Sequence, residues 1–283
     1  MISTFSYFDK NFYVLRDDLL GEINGNKARK LYFLEQVKLP YKELISYGST
    51  QSNALLAMSI YVKKHSLKLH FFCKRRCEID GNLALALENK ANIYYTDDKN
   101  PKQVAFDFFK NNKDSFFINE GVCDDFARFG FKKLADEIYD FYLNNNIDFD
   151  VFLPSGTGIS AIYLEKYLHK LNPKIRVFTT ACVANELYLQ KQKEIFNKNS
   201  ALNILKTQKK YHFAKLYKEL FLLINDINLH SKIEFEYLYD SVGFLAILQN
   251  SSLLKKDIFY IHQGGNIGNI TMRKRYLKNF HLL

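Results

Sequence analysis

The segment Phe152-Leu153-Pro154-Ser155-Gly156-Thr157-Gly158-Ile159-Ser160 is an apolar run, then a small-residue turn with two glycines, then the start of a helical pattern. Such a turn is suited to hold an anion. Gly156 and Gly158 permit positive φ and let a ligand approach the backbone. Consecutive amides form a nest for negative charge, and the following helix adds its positive end. Ser155, Thr157 and Ser160 add hydroxyl donors. No Gly-Lys-Ser/Thr follows, so this is not a Walker-type loop. An ordinary strand–turn–helix junction uses the same small residues, and the loop alone does not decide between the two. A second loop, Tyr47-Gly48-Ser49-Thr50-Gln51-Ser52-Asn53, has the same order of run, turn and helix. By themselves Ser52 and Asn53 read as helix caps.

Short apolar runs must position these loops. They recur at Glu43–Tyr47, 67–73, 91–96, 115–119, 149–154 and 175–180, each of strand length with β-branched or aromatic content. Helical patterns lie between them: 51–66, where Leu55, Met58 and Val62 share a face, 125–144, and 158–171, halted before Pro173. Strands alternating with helices predict parallel sheets, whose ligands sit beyond the carboxyl ends of the strands. Both small-residue loops occupy such positions.

The whole chain of 283 residues is 47% hydrophobic, enough for one large α/β domain or two lobes. No window is long and apolar enough for a membrane helix, and residues 1–10 lack the basic start and apolar run of a signal peptide, so a cytoplasmic protein is expected. Cys73 and Cys77 lie close together without a second pair, so no metal site is expected and the four cysteines read as reduced thiols. The net charge of +10 comes from lysines spread along the chain; the longest basic run is Lys74-Arg75-Arg76. That pattern favours a solvated surface over a nucleic-acid or membrane partner, and a basic site would also suit an anionic cofactor.

A further segment changes the reading of both loops. Val14-Leu15-Arg16-Asp17-Asp18-Leu19 leads into Gly25-Asn26-Lys27-Ala28-Arg29-Lys30-Leu31. Together with Gln51-Ser52-Asn53, Asn119-Glu120-Gly121, 155–160, Tyr239-Asp240 and Tyr260-Ile261-His262-Gln263-Gly264-Gly265, in that order, it resembles the 1-aminocyclopropane-1-carboxylate deaminase / D-cysteine desulfhydrase family. That family has an Arg-Asp-Asp run followed by Gly-Gly-Asn-Lys-x-Arg-Lys; here Asn24 replaces the first glycine. The resemblance implies fold type II, the tryptophan-synthase-β-like architecture of pyridoxal 5′-phosphate enzymes, with Lys27 as the Schiff-base lysine. It implies that Asn53 bonds the cofactor's ring hydroxyl, that Ser52 meets the substrate carboxylate, and that Ser155, Gly156, Thr157, Gly158 and Ser160 hold the phosphate. Tyr239 stands where the family's tyrosine lies over the substrate. Three departures fall near the substrate: Ala54 and Leu55 after Asn53, no lysine after Tyr239-Asp240, and Gln263 in place of threonine or leucine.

The chemistry explains the residue types. An amine attacks an aldehyde only when unprotonated, so burial or nearby positive charge must lower the pKa of Lys27. Arg29 and Lys30 are near in sequence. Once freed, the Lys27 amine is the natural base at the substrate's α or β carbon. Asp240 and Gln263 are both candidates for the partner of the pyridine nitrogen, and Tyr239 for a second acid, base or nucleophile. Arg16, Asp17 and Asp18 read as an ion-pair cluster that supports the Lys27 loop. His262 reads as structural.

The expected architecture is therefore two α/β domains with parallel-rich sheets flanked by helices: residues 1–35 plus 127–283 as a large cofactor-binding domain, and 36–126 as a small domain inserted in it. The expected activity is deamination or elimination on a small amino acid such as D-cysteine or 1-aminocyclopropane-1-carboxylate, in a homodimer. A racemase, or a pyridoxal-phosphate protein with another substrate, is the alternative. A basic nucleic-acid-binding protein is a remote one, resting on charge alone.

Overall fold

The computed structural model describes residues 1–75, 78–97 and 100–280; Arg76 and Cys77 lie outside them. The chain begins with strands β1 (Ile2–Tyr7) and β2 (Lys10–Arg16) and helix α1 (Gly25–Gln36). There follow β3 (Glu43–Tyr47), α2 (Asn53–Lys64), β4 (Lys68–Cys73), α3 (Gly81–Glu88), β5 (Asn92–Tyr95), α4 (Pro101–Lys110) and β6 (Ser115–Phe117). The remainder is α5 (Arg128–Asn145), β7 (Phe149–Phe152), α6 (Ile159–Leu171), β8 (Val177–Thr180), α7 (Glu186–Phe196), β9 (Asn203–Leu205), α8 (Lys218–Ser231), α9 (Asp240–Gln249), β10 (Asp257–His262) and α10 (Ile267–Phe280).

Two sheets result. One has the strand order β1-β2-β10-β7-β8-β9 and the other β5-β4-β3-β6. Every pairing is parallel except the β1–β2 hairpin. The predicted parallel sheets flanked by helices are present. The four-stranded sheet takes its strands from the segment expected to form the small domain.

Both faces of each sheet are covered, which is why the strands read as near-continuous apolar runs. Successive residues of β10 serve opposite faces. Ile258 and Tyr260 join the core beneath α8, α9 and α10, while Phe259 and Ile261 join that beneath α5 and α6. In the smaller sheet, Leu44 and Phe71 pack towards α2 and α3, and Ile45 and Phe72 towards α4. Among the described residues no helix is long and apolar enough to cross a membrane.

Helix α1 crosses α5 at close range. A Cβ at Gly130 would lie 1.7 Å from the backbone oxygen of Arg29, so only glycine lets the helices approach this closely. In an isolated helix, alanine for glycine stabilises by about 0.5–1 kcal/mol. Here the sign reverses: Gly130→Ala is expected to destabilise by about 1–3 kcal/mol or more, through overpacking. A lower urea midpoint with unchanged m-value checks this.

Candidate active site

The site forms where the carboxyl ends of β3, β7 and β10 face the start of α1, as the parallel arrangement demands. Lys27 lies in the first turn of α1 and lines a cleft whose wall also carries Asn53, Asn82, Gln263, Gly264 and Gly265. The helix start is locked to the strand end. The Asn26 amide donates to the Gln263 backbone oxygen (3.0 Å), and the Asn26 side-chain Nδ2 donates to Gln263 Oε1 (3.0 Å). Gly25 has φ +59°, and a Cβ there would lie 1.7 Å from the Gln263 oxygen. The glycine before Asn26 is thus fixed both by its conformation and by the close approach.

Lys27 Nζ donates to Asn26 Oδ1 at 2.8 Å. Burial holds its pKa well below the ordinary lysine value, and the charge of Lys30 lowers it further. Lys30 is itself buried, donates to the Gly121 oxygen (2.8 Å), and is brought down to about 8, chiefly by burial. Of the two neighbouring cations, Lys30 is therefore the one that acts on Lys27. Arg29 is neutralised instead: its guanidinium binds both oxygens of Asp17 (2.7 and 2.9 Å) and both of Glu137 (2.7 and 2.9 Å). Arg16 similarly grips Asp18 with two bonds (2.6 and 2.8 Å). The Arg29 pairs bind the loop before Lys27 to α1 and α5, while the Arg16 pair braces the loop itself.

The loop after β7 keeps its amides open. Among the described residues the backbone N–H groups of Gly156, Thr157, Gly158, Ile159 and Ser160 have no protein acceptor; the first amide bonded in α6 is that of Ile162, to Gly158. Gly158 takes φ +84°, while Gly156 does not adopt positive φ. Ser155 contributes less than its type suggests, because its hydroxyl shares a 2.6 Å bond with Thr179. The open donors at a helix N-terminus fit a phosphate. Lys27, whose pKa burial lowers, fits an aldehyde, and Asn53 fits a ring hydroxyl. The residues present therefore suit pyridoxal phosphate.

The second loop leads into α2, and the capping role expected there falls to Ser52. Ser52 caps α2, its Oγ accepting from the Ala54 amide (3.1 Å), which leaves its hydroxyl hydrogen free to donate. Asn53 Oδ1 accepts from Asn82 Nδ2 (2.8 Å), so the Asn53 amide group is held with its Nδ2 towards Gly265. Asn82 was not singled out from the sequence, although the pair Gly81-Asn82 at a helix start marks it. Its Nδ2 also bonds the Gln51 oxygen (2.9 Å), and Gln51 in turn donates to Asp80.

The structure separates Tyr239 from Asp240. The Tyr239 ring lies over the 155–160 loop: a Cβ on Gly156 would be 3.4 Å from its hydroxyl and ring edge. Phe213 packs on its other side, 5.4 Å between ring centres. Burial raises its pKa. Asp240 is the first residue of α9 and points into the core, where Oδ1 accepts from Tyr260 (2.6 Å) and Oδ2 from the Glu236 amide (2.9 Å). His262 lies 3.4 Å from the same carboxylate. Of the residues expected in the site, Lys27, Asn53 and Gln263 line the cleft, whereas Ser52, Tyr239, Asp240 and residues 155–160 do not. The segment is a helix start rather than a free turn. Gly243 lies within α9, where a Cβ would meet Tyr260 and Phe152 at 3.1 and 3.2 Å. Tyr217 likewise stays outside the cleft, its hydroxyl accepting the His212 amide (3.1 Å).

Glu236 was also missed. One of its oxygens accepts from the amides of Leu238 (2.8 Å) and Tyr239 (2.6 Å), and burial pushes its pKa up to about 8, with the charge of Asp240 adding to the effect. In the folded protein it keeps its proton up to about pH 8, whereas an ordinary glutamate loses it near 4.5. Its stabilising contribution is therefore complete below about pH 4.5 and is lost as pH rises to about 8. Glu236→Gln is expected to remove this fall, as read from unfolding free energies at pH 5 and pH 8.5.

No protein-family profile and no curated protein sequence matches the chain. Solved structures do. An ACC deaminase homologue superposes with a TM-score of 0.85 at 21% identity, covering 98% of this chain and 93% of that one. Its fold is that of the fold type II enzymes. A threonine deaminase from T.th. is similar at a TM-score of 0.71 and 14% identity, over 93% of this chain and 91% of that chain. A pyridoxal 5′-phosphate-dependent aspartate racemase is similar at 0.66 and 13%, over 94% and 90%. These likenesses carry the architecture; activity must be argued from the site.

Proposed function

We propose that this chain is a pyridoxal-phosphate-dependent lyase or deaminase that releases an α-oxo acid and ammonia from a small amino acid of the D-cysteine or 1-aminocyclopropane-1-carboxylate kind. The observation that carries the reading is the Lys27 amine, its pKa lowered by burial and by Lys30, in one cleft with Asn53 and at the carboxyl end of a parallel sheet. The fold's other known bearers include a pyridoxal 5′-phosphate-dependent racemase, a threonine deaminase and an ACC deaminase homologue, which supports the cofactor. On this reading the two sheets belong to two lobes, 1–35 with 127–283 and 36–126, and the protein works as a cytoplasmic homodimer.

When bound, pyridoxal phosphate supplies the electron sink for a carbanion on the substrate. Lys27 would hold the cofactor covalently and, once released, accept a proton from the substrate carbon through Nζ; its lowered pKa favours the free amine that this role needs. The open amides of 156–160 would take the phosphate, aided by the Thr157 and Ser160 hydroxyls. Asn53, fixed by Asn82, would orient the ring. Ser52 would donate to the substrate carboxylate. Tyr239, above the phosphate loop, would carry a proton in its neutral form. Asp240 holds Tyr260 and the Glu236 amide rather than the cleft, so we assign the ring-nitrogen side to the neutral Gln263.

The test is a screen of D- and L-amino acids for oxo acid and ammonia, with pyridoxal phosphate supplied and Lys27→Ala as control. Lysine-dependent oxo acid from any member supports the proposal. Inversion of configuration without oxo acid makes the protein a racemase and removes the lyase claim.

A further inference from the structure

The ring of Tyr239 is held by its neighbours rather than by a hydrogen bond of its own. The hydroxyls of Tyr61, Tyr163, Tyr237 and Tyr260 each donate to a protein oxygen, at 3.0, 3.1, 2.9 and 2.6 Å. The Tyr239 hydroxyl has no hydrogen-bond partner among the described residues. A phenol turned inwards normally finds an acceptor, and an unmet one in a site is open to a ligand. The backbone at Tyr239 is fixed: its amide donates to Glu236 (2.6 Å) and its oxygen accepts from the Gly243 amide (2.9 Å). The direction of the ring is therefore left to packing. On one side stands Gly156, where a Cβ would be 3.4 Å from the hydroxyl and where no side chain exists to hold it. On the other stands Phe213, with 5.4 Å between ring centres and 56° between planes.

The hydrophobic core does not account for Phe213. It is 39% exposed and lies in the connection between β9 and α8. Its backbone is nevertheless held in an uncommon shape. The next residue, Ala214, has φ +59°, a left-handed conformation that alanine seldom adopts. Such a conformation persists only where its surroundings impose it. Here Arg275, on α10, donates from Nη2 to the Ala214 oxygen (3.0 Å). The Lys215 amide donates to the His212 oxygen (3.1 Å), and the His212 amide to the hydroxyl of Tyr217 (3.1 Å). The turn that carries Phe213 is thus pinned both from α10 and from the residue that precedes α8.

We propose that Phe213 is a positioning residue: its ring keeps the Tyr239 hydroxyl over the 155–160 loop, and Arg275 keeps Phe213 in place through the Ala214 oxygen. The inference rests on the role given to Tyr239 above and deepens it by naming what aims the phenol. Phe213 carries no proton and meets no substrate. Without its ring, the Tyr239 side chain is free to turn to another rotamer. The phenol then leaves its place, while Lys27 and the loop amides keep theirs.

The test has two arms. The first is the crystal structure of Phe213→Ala, with Phe213→Tyr beside it. The Tyr239 ring is expected to leave Gly156 in the alanine variant and to stay over it in the tyrosine variant, which keeps an aromatic ring at 213. Phe213→Leu, which keeps volume without a ring, takes the place of the alanine variant if that one does not fold. The second arm is a double-mutant cycle on turnover of the amino acid identified by the screen, at saturating pyridoxal phosphate. Phe213→Ala is expected to lower kcat about tenfold with KM changed by about twofold or less, a size usual for contacting residues that act together. On a Tyr239→Phe background the same change should cost about twofold or less, because the hydroxyl it positions is gone. Arg275→Met should act in the same sense and be equally silent on that background. A general structural defect would instead lower turnover alike on both backgrounds. Equal losses on the two backgrounds, or a Tyr239 ring that stays over Gly156 in Phe213→Ala, overturn the proposal. The crystal arm needs no activity. A chain that neither labels at Lys27 nor forms oxo acid sinks the enzymatic reading, and the place of the ring still decides whether Phe213 holds Tyr239.

Discussion

Lys27→Ala is expected to abolish covalent retention of pyridoxal phosphate after borohydride reduction and to lower turnover by about 10²–10⁴-fold, the usual contribution of a positioned acid–base group. Lys30 is the nearest rival for the role and is excluded on geometry. Its ammonium is tied to the Gly121 oxygen and does not line the cleft. Lys30→Met should therefore keep the label on Lys27. It should also move the pH dependence of labelling. After burial, the charge of Lys30 is what depresses Lys27, so without that charge the Lys27 amine holds its proton to higher pH. The labelling profile shifts to the alkaline side, while a merely structural Lys30 would leave it in place.

Arg29→Met has the largest expected effect on stability, a loss of about 3–5 kcal/mol, as for other buried ion pairs broken on one side. Asp17 is buried and bonded by two guanidinium nitrogens; with methionine it would be a buried carboxylate facing an apolar chain. Such a loss is a large share of the ~5–15 kcal/mol that holds a typical domain folded. Urea unfolding at neutral pH measures it. The deficit should shrink in acid. Burial already raises the pKa of Asp17 despite its partner, and without the guanidinium the carboxyl would neutralise at still higher pH, removing the uncompensated charge. Because the same arginine fixes α1 against α5, the variant should also bind the cofactor more weakly where it remains folded.

The parts of this protein that were readable in its sequence share a physical reason. The internal parallel strands β3, β4, β7 and β8 are buried on both faces and announce themselves as apolar runs; the edge strands β5 and β6 are readable from their β-branched and aromatic content instead. The hairpin of β1 and β2 does not stand out, because β1 is an edge strand with mixed exposure, Ile2–Tyr7. The three-residue β9 is too short to carry a pattern. In the site, Lys27, Asn53 and the 155–160 loop stand in runs whose order is informative. What the sequence leaves open is direction. Tyr239 and Asp240 are adjacent, yet one lies against the 155–160 loop and the other is drawn into the core by Tyr260. That outcome depends on a hydroxyl 20 residues away. Asn82 and Glu236 act through hydrogen bonds to Asn53 and to the Tyr239 amide, contacts that no local pattern encodes.

The central claim is the covalent anchor. The measurement that tests it most directly is mass spectrometry of the purified chain after incubation with pyridoxal phosphate, reduction with borohydride and proteolysis. The account predicts a yellow protein with one phosphopyridoxyl group, on Lys27. A chain that stays colourless, or one labelled on surface lysines with Lys27 unmodified, would contradict it.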